Sequence, residues 1–403
     1  MTETFEQAQY VLCKLIKHGH EAYIVGGAVR NWFLNLPIRD IDIATSAKPE
    51  EVIALFPVTF PIGIEHGTVL VRHEHSDYEV TTFRTEGDYS DFRHPQHVTF
   101  ISSITKDLSR RDFTMNAMAR DRYGVIIDPF QGRKDLKERL LRTVGQAEER
   151  FIEDPLRMLR AARFISQLNV AADSEVLTAM AKQKHLLKWI SVERVLQEMS
   201  KLLEGQSPLL GLELLIQTNV LFELPMLAKV TEQQIAALLA VDFNQCTSLV
   251  ECWVAFLLIL DHSSLAGFFE SWRFSNQLKG QILQLTHNYL CLKEVKWTKW
   301  QLYDVGLQQA LAIQHLRSAQ DKEDVECIVR DLKAMNQELP IQSRAQLASD
   351  GHDLQAWLGR SPGPWIKKML SSIERAVVEN RLSNDKDAIK RWVIACHRRK
   401  QKH

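Results

Sequence analysis

The hydrophobic period of this 403-residue chain changes once, and that change limits the folds open to it. Up to about residue 130, beta-branched and aromatic residues alternate with polar ones. The runs are AYIV, RDIDIAT, GTVLVRH, YEVTTFR, HVTFISS and VIIDPF, separated by glycine or acidic turns. A period of two lays one side of each run on a core, so several strands with a few helices are expected, a small α+β sheet domain. From about 135 onward strand signals nearly vanish. ERLLRTVGQAEERF, VERVLQEMSKLLEG, LLGLELLIQ, QIAALLAV and WIKKMLSSIERAVV instead show a 3.6-residue period. In the last of these, Trp365, Ile366, Met369, Leu370, Ile373, Ala376 and Val377 form one stripe, opened by SPGP at 361–364. The chain therefore reads as a mixed head on a long all-helical remainder, with breaks at QSP (206–208) and QELPIQS (337–343).

Such a length exceeds one ordinary core, and 45% hydrophobic with 25% charged residues is the balance of a soluble globular protein. WVAFLLIL (253–260), the longest apolar run, is far shorter than the roughly 20 residues of a membrane span. The N-terminal residues carry early acids and no small-residue cleavage site, unlike a signal peptide. Six cysteines without CxxC spacing are expected as buried thiols of a reducing compartment, the cytoplasm. With zero formal net charge, a nucleic-acid partner has to be held by local patches.

Three stretches could carry chemistry. In IVGGAVRNWFLNLPIRDIDIAT (24–45), Gly26 and Gly27 separate a strand-like run from a helix, where backbone N–H groups can approach an anion. Arg30, one turn on, adds a charged donor for phosphate. Asp40 and Asp42 share one side of a strand while Ile41 and Ile43 face the core, so a divalent oxygen-seeking ion such as Mg²⁺ would relieve their repulsion. RRDFTMNAM (110–118) sets Arg110 and Arg111 beside Asp112 at an expected helix start. In EDPLRMLRAARF (153–164), Asp154, Arg157, Arg160 and Arg163 recur every third residue, which reads as one ridge of a helix. Ion pairs such as Asp154 to Arg157 and Glu153 to Arg157 are also what a solvated helix face would carry. By contrast, His352-Asp353 lacks spaced metal-ligand partners and reads as a helix-entry turn.

A Gly-Gly turn, twelve residues, then Asp-Ile-Asp-Ile is similar to the pattern of the DNA polymerase β nucleotidyltransferase superfamily. With GRKDLKERLLRTVG (132–145), RFIEDPLRMLRAARF (150–164) and ISVERVLQEMSKLL (190–203) following in order, the chain resembles the class II tRNA nucleotidyltransferases and bacterial poly(A) polymerases. That resemblance implies a polymerase β-like head (1–135), a helical neck that recognises the base (136–205), a helical body (206–310) and a tail that binds tRNA (311–403). It implies that Gly26, Gly27 and Arg30 hold the triphosphate, and that Asp40 and Asp42 bind two Mg²⁺ for in-line attack of a hydroxyl on the α-phosphorus. Glu79 is the candidate third carboxylate.

Cytosine and adenine both offer an exocyclic amino group beside an unprotonated ring nitrogen. A carboxylate accepts from the first and a guanidinium donates to the second, while uracil and guanine present the opposite pattern. The resemblance gives that base-reading role to Glu153-Asp154-x-x-Arg157, and nucleotide or phosphate contacts to Arg111, Arg160 and Arg163. RTEGDYSDFRHPQHV (84–98) resembles the loop used in switching from C to A addition, at full length. The implied activity is template-independent building of the tRNA 3′ CCA end from CTP and ATP, with no membrane partner. Two alternatives are an A-adding enzyme or poly(A) polymerase, and a catalytically weakened RNA-binding protein. The oligomeric state stays open, a homodimer included. Asn31, Asn35 and Arg39 depart from the family pattern, which usually has Asp at the first position and often Gly at the other two.

Overall fold

The computed structural model describes residues 2–87, 98–260, 265–321 and 325–400, and divides the chain into two compact units. The first contains residues 1–239 and 260–274, the second 240–259 and 275–403.

The first unit opens on helix α1 (Thr2–Lys17), strand β1 (Ala22–Val25), α2 (Gly27–Phe33), β2 (Ile41–Thr45) and α3 (Pro49–Leu55). Strands β3 (Thr59–Gly63), β4 (Thr68–His73), β5 (Ser76–Thr82), β8 (Ala119–Arg120) and β9 (Ile126–Ile127) complete a seven-stranded sheet of order β3-β4-β5-β2-β1-β8-β9. Between them, β6 (Arg84–Glu86) and β7 (Val98–Phe100) pair separately, and α4 (Ile104–Ser109) follows. Only β2 and β5 run parallel within the large sheet. Every strand-like run expected from the alternation contains a strand. Strand β3 was not expected, since Pro61 interrupts its pattern and the sequence TFPIG buries little. At the sheet edge, a residue without an N–H is tolerated. Asn35, a position where family members often have glycine, adopts a left-handed φ of 54°, a conformation asparagine accepts.

Helices α5 (Gly132–Glu138), α6 (Ala147–Glu153), α7 (Leu156–Leu168), α8 (Ser174–Gln183), α9 (Val192–Leu203) and α10 (Pro208–Gln217) follow, with a two-stranded ladder of β10 (Leu140–Leu141) and β11 (Ala171–Ala172). The helical period of ERLLRTVGQAEERF misleads in its middle: Arg139 takes a φ of 54°, β10 follows, and α6 starts at Ala147. Helix α7 packs on α9 and α10. A Cβ on Gly211 would lie 2.6 Å from the Ala162 carbonyl oxygen, so glycine there permits the close approach. RRDFTMNAM also differs from expectation. Arg110 caps the end of α4, and a single 3₁₀ turn (Thr114–Asn116) replaces the expected helix.

The ridge is not one helix. Asp154 takes an extended φ,ψ of −139°, 97° and ends α6, Pro155 caps α7, and the new helix begins at Leu156. Nor is the ridge solvated, because Arg157 and Arg163 are 6% and 7% exposed.

Later helices are α11 (Glu232–Ala240), α12 (Leu249–Leu257), α13 (Leu265–Ser271), α14 (Asn276–Leu292), α15 (Lys299–Val305), α16 (Leu307–Asp321), α17 (Val325–Gln337), α18 (Gly351–Leu358), α19 (Pro364–Val378) and α20 (Lys386–Lys400). In the second unit, the expected stripe of α19 lies on a core of Leu354, Ile389 and Val393, with Pro364 in its first turn. The His352-Asp353 pair sits at the entry of α18, where Asp350 and Asp353 form a capping box. The apolar run 253–260 lies largely in α12, and no helix among the described residues is long and apolar enough to cross a membrane. The expectation of buried thiols holds for Cys252; Cys291 and Cys327 are exposed.

Candidate active site

Strand β2 presents its carboxylates as its alternation requires. Ile41 and Ile43 are buried, Asp42 is half-buried, and Asp40 is exposed one residue before the strand. In register, Asp42 lies opposite Val25 of β1 and Glu79 of β5. Burial raises the Asp42 pKa, the nearby Arg111 charge works against this, and the like charge of Asp40 adds to it. Glu79 is raised by burial, then by Asp42 and Asp40. Among the described residues, Asp40 and Asp42 make no hydrogen bond or ion pair, and no three His, Cys, Asp or Glu side chains are close enough to hold a metal by themselves.

Gly26 stands where β1 turns into α2, with φ 70° and ψ −134°. A Cβ there would be strained and would lie 3.0 Å from Arg111 Nη1 and 3.6 Å from Asp42 Oδ2. Its N–H donates to the Met118 carbonyl (3.3 Å), so what Gly26 provides is room between a carboxylate and a guanidinium.

Opposite lies a wall of arginines, two tied one turn away (Arg111, Arg157) and two from distant segments (Arg160, Arg163). Arg111 pairs with Asp107 (3.4 Å), Arg157 with Glu153 (2.7 Å), Arg160 with Asp112 (2.8 Å) and Arg163 with Glu198 (2.9 Å). Asp112 is a hub: it also accepts from Asn116 Nδ2 (3.0 Å) and the Phe113 N–H (2.8 Å). Burial alone would raise its pKa, but the Arg160 charge and these donors together hold it well below the carboxylate range. Burial lowers the pKa of Arg111 and of Arg163.

Asp154 and Arg157 do not pair with each other. Asp154 accepts from the Leu156 N–H (3.1 Å) and from Arg194 of α9 (3.2 Å). Arg157 is held by Glu153 and by the carbonyls of Arg150 (3.2 Å) and Arg110 (3.3 Å). An acceptor and a donor therefore stand side by side without neutralising one another. Gly26, Gly27, Arg30, Asp40, Asp42, Arg111, Asp154, Arg157, Arg160 and Arg163 all line a single cleft of about 1160 Å³. Glu79 is beside Asp42 but does not line it. Residues 88–97 of the expected C-to-A switching loop lie outside the described residues.

The sequence reading had not assigned roles to Asp107, Asn116, Arg194 or Glu198. Arg194 and Glu198 sit in ISVERVLQEM and Asn116 in RRDFTMNAM, but nothing local reveals which arginine or carboxylate each one meets.

The profile of the poly A polymerase head domain matches residues 22–142, and that of the tRNA nucleotidyltransferase domain 2 matches residues 244–393. A CCA-adding enzyme of Geobacillus sp. (strain WCH70) is 43% identical over 395 residues, 98% of either chain. One from Geobacillus kaustophilus (strain HTA426) is 42% identical and aligned over 100% of both chains. The chain belongs to the CCA-adding enzyme family. The crystal structure of the Bacillus stearothermophilus CCA-adding enzyme in complex with CTP superposes with a TM-score of 0.90 at 39% identity, covering 99% of this chain and 98% of that one. As a CCA-adding family member the chain is a nucleotidyltransferase, in a family that generally uses a divalent metal. The donor set here fits one: Asp40 just before β2 and Asp42 within it, neither paired among the described residues, with the Asp42 pKa raised by burial. Two carboxylates short of a full cage suit an ion whose remaining ligands are phosphate oxygens and water.

Proposed function

We propose that this chain builds and repairs the 3′-terminal CCA of tRNA from CTP and ATP in one site, in the cytoplasm, and that Asp154 and Arg157 take the place of a template. The observation that carries this reading is the pair itself, an acceptor and a donor each tied from behind and facing one cleft with two free carboxylates.

Asp154 accepts a hydrogen bond from the exocyclic amino group of cytosine or adenine, and Arg157 donates to the adjacent ring nitrogen. Uracil and guanine would set a carbonyl against Asp154 and an N–H against Arg157. Arg30, Arg111, Arg160 and Arg163 hold the triphosphate with its α-phosphorus toward Asp40 and Asp42. The 3′-oxygen of the tRNA then forms the new bond to the α-phosphorus, its proton leaves, and the bond to diphosphate breaks. Mg²⁺ held by Asp40 and Asp42, when bound, neutralises charge on the attacking and leaving oxygens. The neck (136–205) supplies base choice, and the tail (311–403) is proposed to contact tRNA by shape and backbone.

The rival reading, an A-adding enzyme or poly(A) polymerase, shares the same catalytic motifs. A tRNA ending before CCA, given CTP alone, separates the two. Addition of two residues supports CCA synthesis, whereas no addition with CTP, but addition of one A to a tRNA already ending in CC, makes the chain an A-adding enzyme.

A further inference from the structure

Arg30 differs from the rest of the arginine wall. Arg111, Arg157, Arg160 and Arg163 each rest on a carboxylate. Among the described residues, Arg30 rests on two neutral amides. Its Nε and Nη2 donate to Asn31 Oδ1 (3.1 and 2.9 Å), its Nη1 donates to Asn116 Oδ1 (2.6 Å), and its guanidinium lies 5.0 Å from the Phe164 ring. It is 9% exposed, and burial followed by the Arg163 charge brings its pKa down to about 10, so it is still a cation at neutral pH. A buried cation with amide partners keeps its charge for whatever anion enters the cleft.

The partners of Asn31 fix the orientation of its amide. A guanidinium has donors only, so Oδ1 must face Arg30. Nδ2 then donates to the Pro37 carbonyl (2.9 Å), in the turn between α2 and β2 and three residues before Asp40. One side chain thus spans from the phosphate-facing arginine to the turn that delivers the metal-facing carboxylate. Aspartate could keep the first bond but has no donor for the second, and it would neutralise Arg30.

We propose that Asn31 is a positioning residue: it holds Arg30 without neutralising it, so that Arg30 takes the triphosphate, and it ties the 34–40 turn in place so that Asp40 stays in the cleft beside Asp42. This rests on the reading of Arg30 as a triphosphate ligand given above.

The test pairs Asn31→Asp with Asn31→Ala, each checked for an unchanged melting temperature. It uses inorganic tripolyphosphate in metal-free buffer as a probe of the phosphate site, measured by calorimetry. Asn31→Asp is expected to weaken tripolyphosphate binding about three- to tenfold and to raise KM for CTP and for ATP by the same factor. Asn31→Ala, which adds no charge, should weaken tripolyphosphate less. Both variants lose the Pro37 bond and should lower kcat. Tripolyphosphate bound by the Asn31→Asp protein as tightly as by wild type, or equal weakening in both variants, overturns the inference. So does a kcat unchanged in both. Wild-type protein that transfers neither nucleotide to tRNA overturns the underlying reading instead.

Discussion

At the start of β2, Asp40 and Asp42 face the cleft with no ionic partner among the described residues, and burial pushes Asp42 toward its protonated form. On α7, a short distance along the same cleft, every arginine that faces the cavity is already paired, and Asp154 before it is held by Arg194. The difference separates two tasks. On the proposed reading, the strand end is electrostatically incomplete and would be stabilised by an arriving cation. The helix end is already paired, so a base-selecting role there would not have to wait for side chains to be ordered.

The largest effect should come from removing the incomplete end. Asp42→Asn is nearly isosteric and takes away a charge that the fold does not need. We expect nucleotide transfer to fall by roughly three orders of magnitude or more. CTP binding in metal-free buffer should persist. Retention of a tenth of the wild-type rate with Mg²⁺ would remove the metal role from β2.

The next effect is on the complete end. Asp112 is buried beneath Arg160 and Asn116, so Asp112→Ala leaves a guanidinium without its carboxylate. A loss of about 3 kcal/mol of stability is expected, read by urea denaturation. A loss near zero would mean that the arginine wall is not held together by its counter-ions, and the contrast between the two ends would fail.

How much of this was legible in sequence follows from how local each feature is. Asp42 was legible because a strand period of two turns it away from the buried Ile41 and Ile43, and Asp40, just outside β2, lines the same cleft. The composite helix was not, although Pro155 disfavours helical geometry at Asp154, and that signal was outweighed by the three-residue spacing. The pair Glu153 to Arg157 is local and legible, but three others join segments 35 to 48 positions apart (Arg163 to Glu198, Arg194 to Asp154, Arg160 to Asp112), and no periodicity reports such contacts. The short strands β8, β10 and β11, two residues each, hold too few side chains to display any period.

Asp154→Ala sharpens the contrast at the level of chemistry. A base contact is worth about 1–3 kcal/mol of discrimination, so preference for CTP and ATP over UTP and GTP should fall by roughly one to two decades. Arg163→Ala, beside the ring of Phe164 and tied to Glu198, should slow all four nucleotides alike. Incorporation of each nucleotide onto one tRNA measures both. If the Asp154 variant is slowed uniformly with its selectivity intact, the pair does not read the base.

The smallest effect is a pH-dependent one, and it tests whether the strand end is strained at all. Asp42 and Glu79 have folded-state pKa values raised above the ordinary carboxylate value, by burial and then by neighbouring charge. The folded state therefore holds its protons to higher pH than the unfolded state. Stability from this source is present below the unfolded pKa and is lost as pH rises through the folded one. The penalty grows as pH rises, and a bound divalent ion would relieve it. Added Mg²⁺ should thus raise the melting temperature more at pH 7.5 than at pH 5. Asp40→Asn, which takes a like charge away from both groups, should raise the melting temperature of the metal-free protein at pH 7.5 by about 1–2 °C and shrink its response to Mg²⁺. The shift is small because Asp40 is exposed and water screens it. Calorimetric melts of the two proteins at both pH values decide the matter. A lower metal-free melting temperature for Asp40→Asn at pH 7.5 would show that Asp40 stabilises the fold rather than straining it, leaving the cleft with two settled ends and no waiting site for a cation.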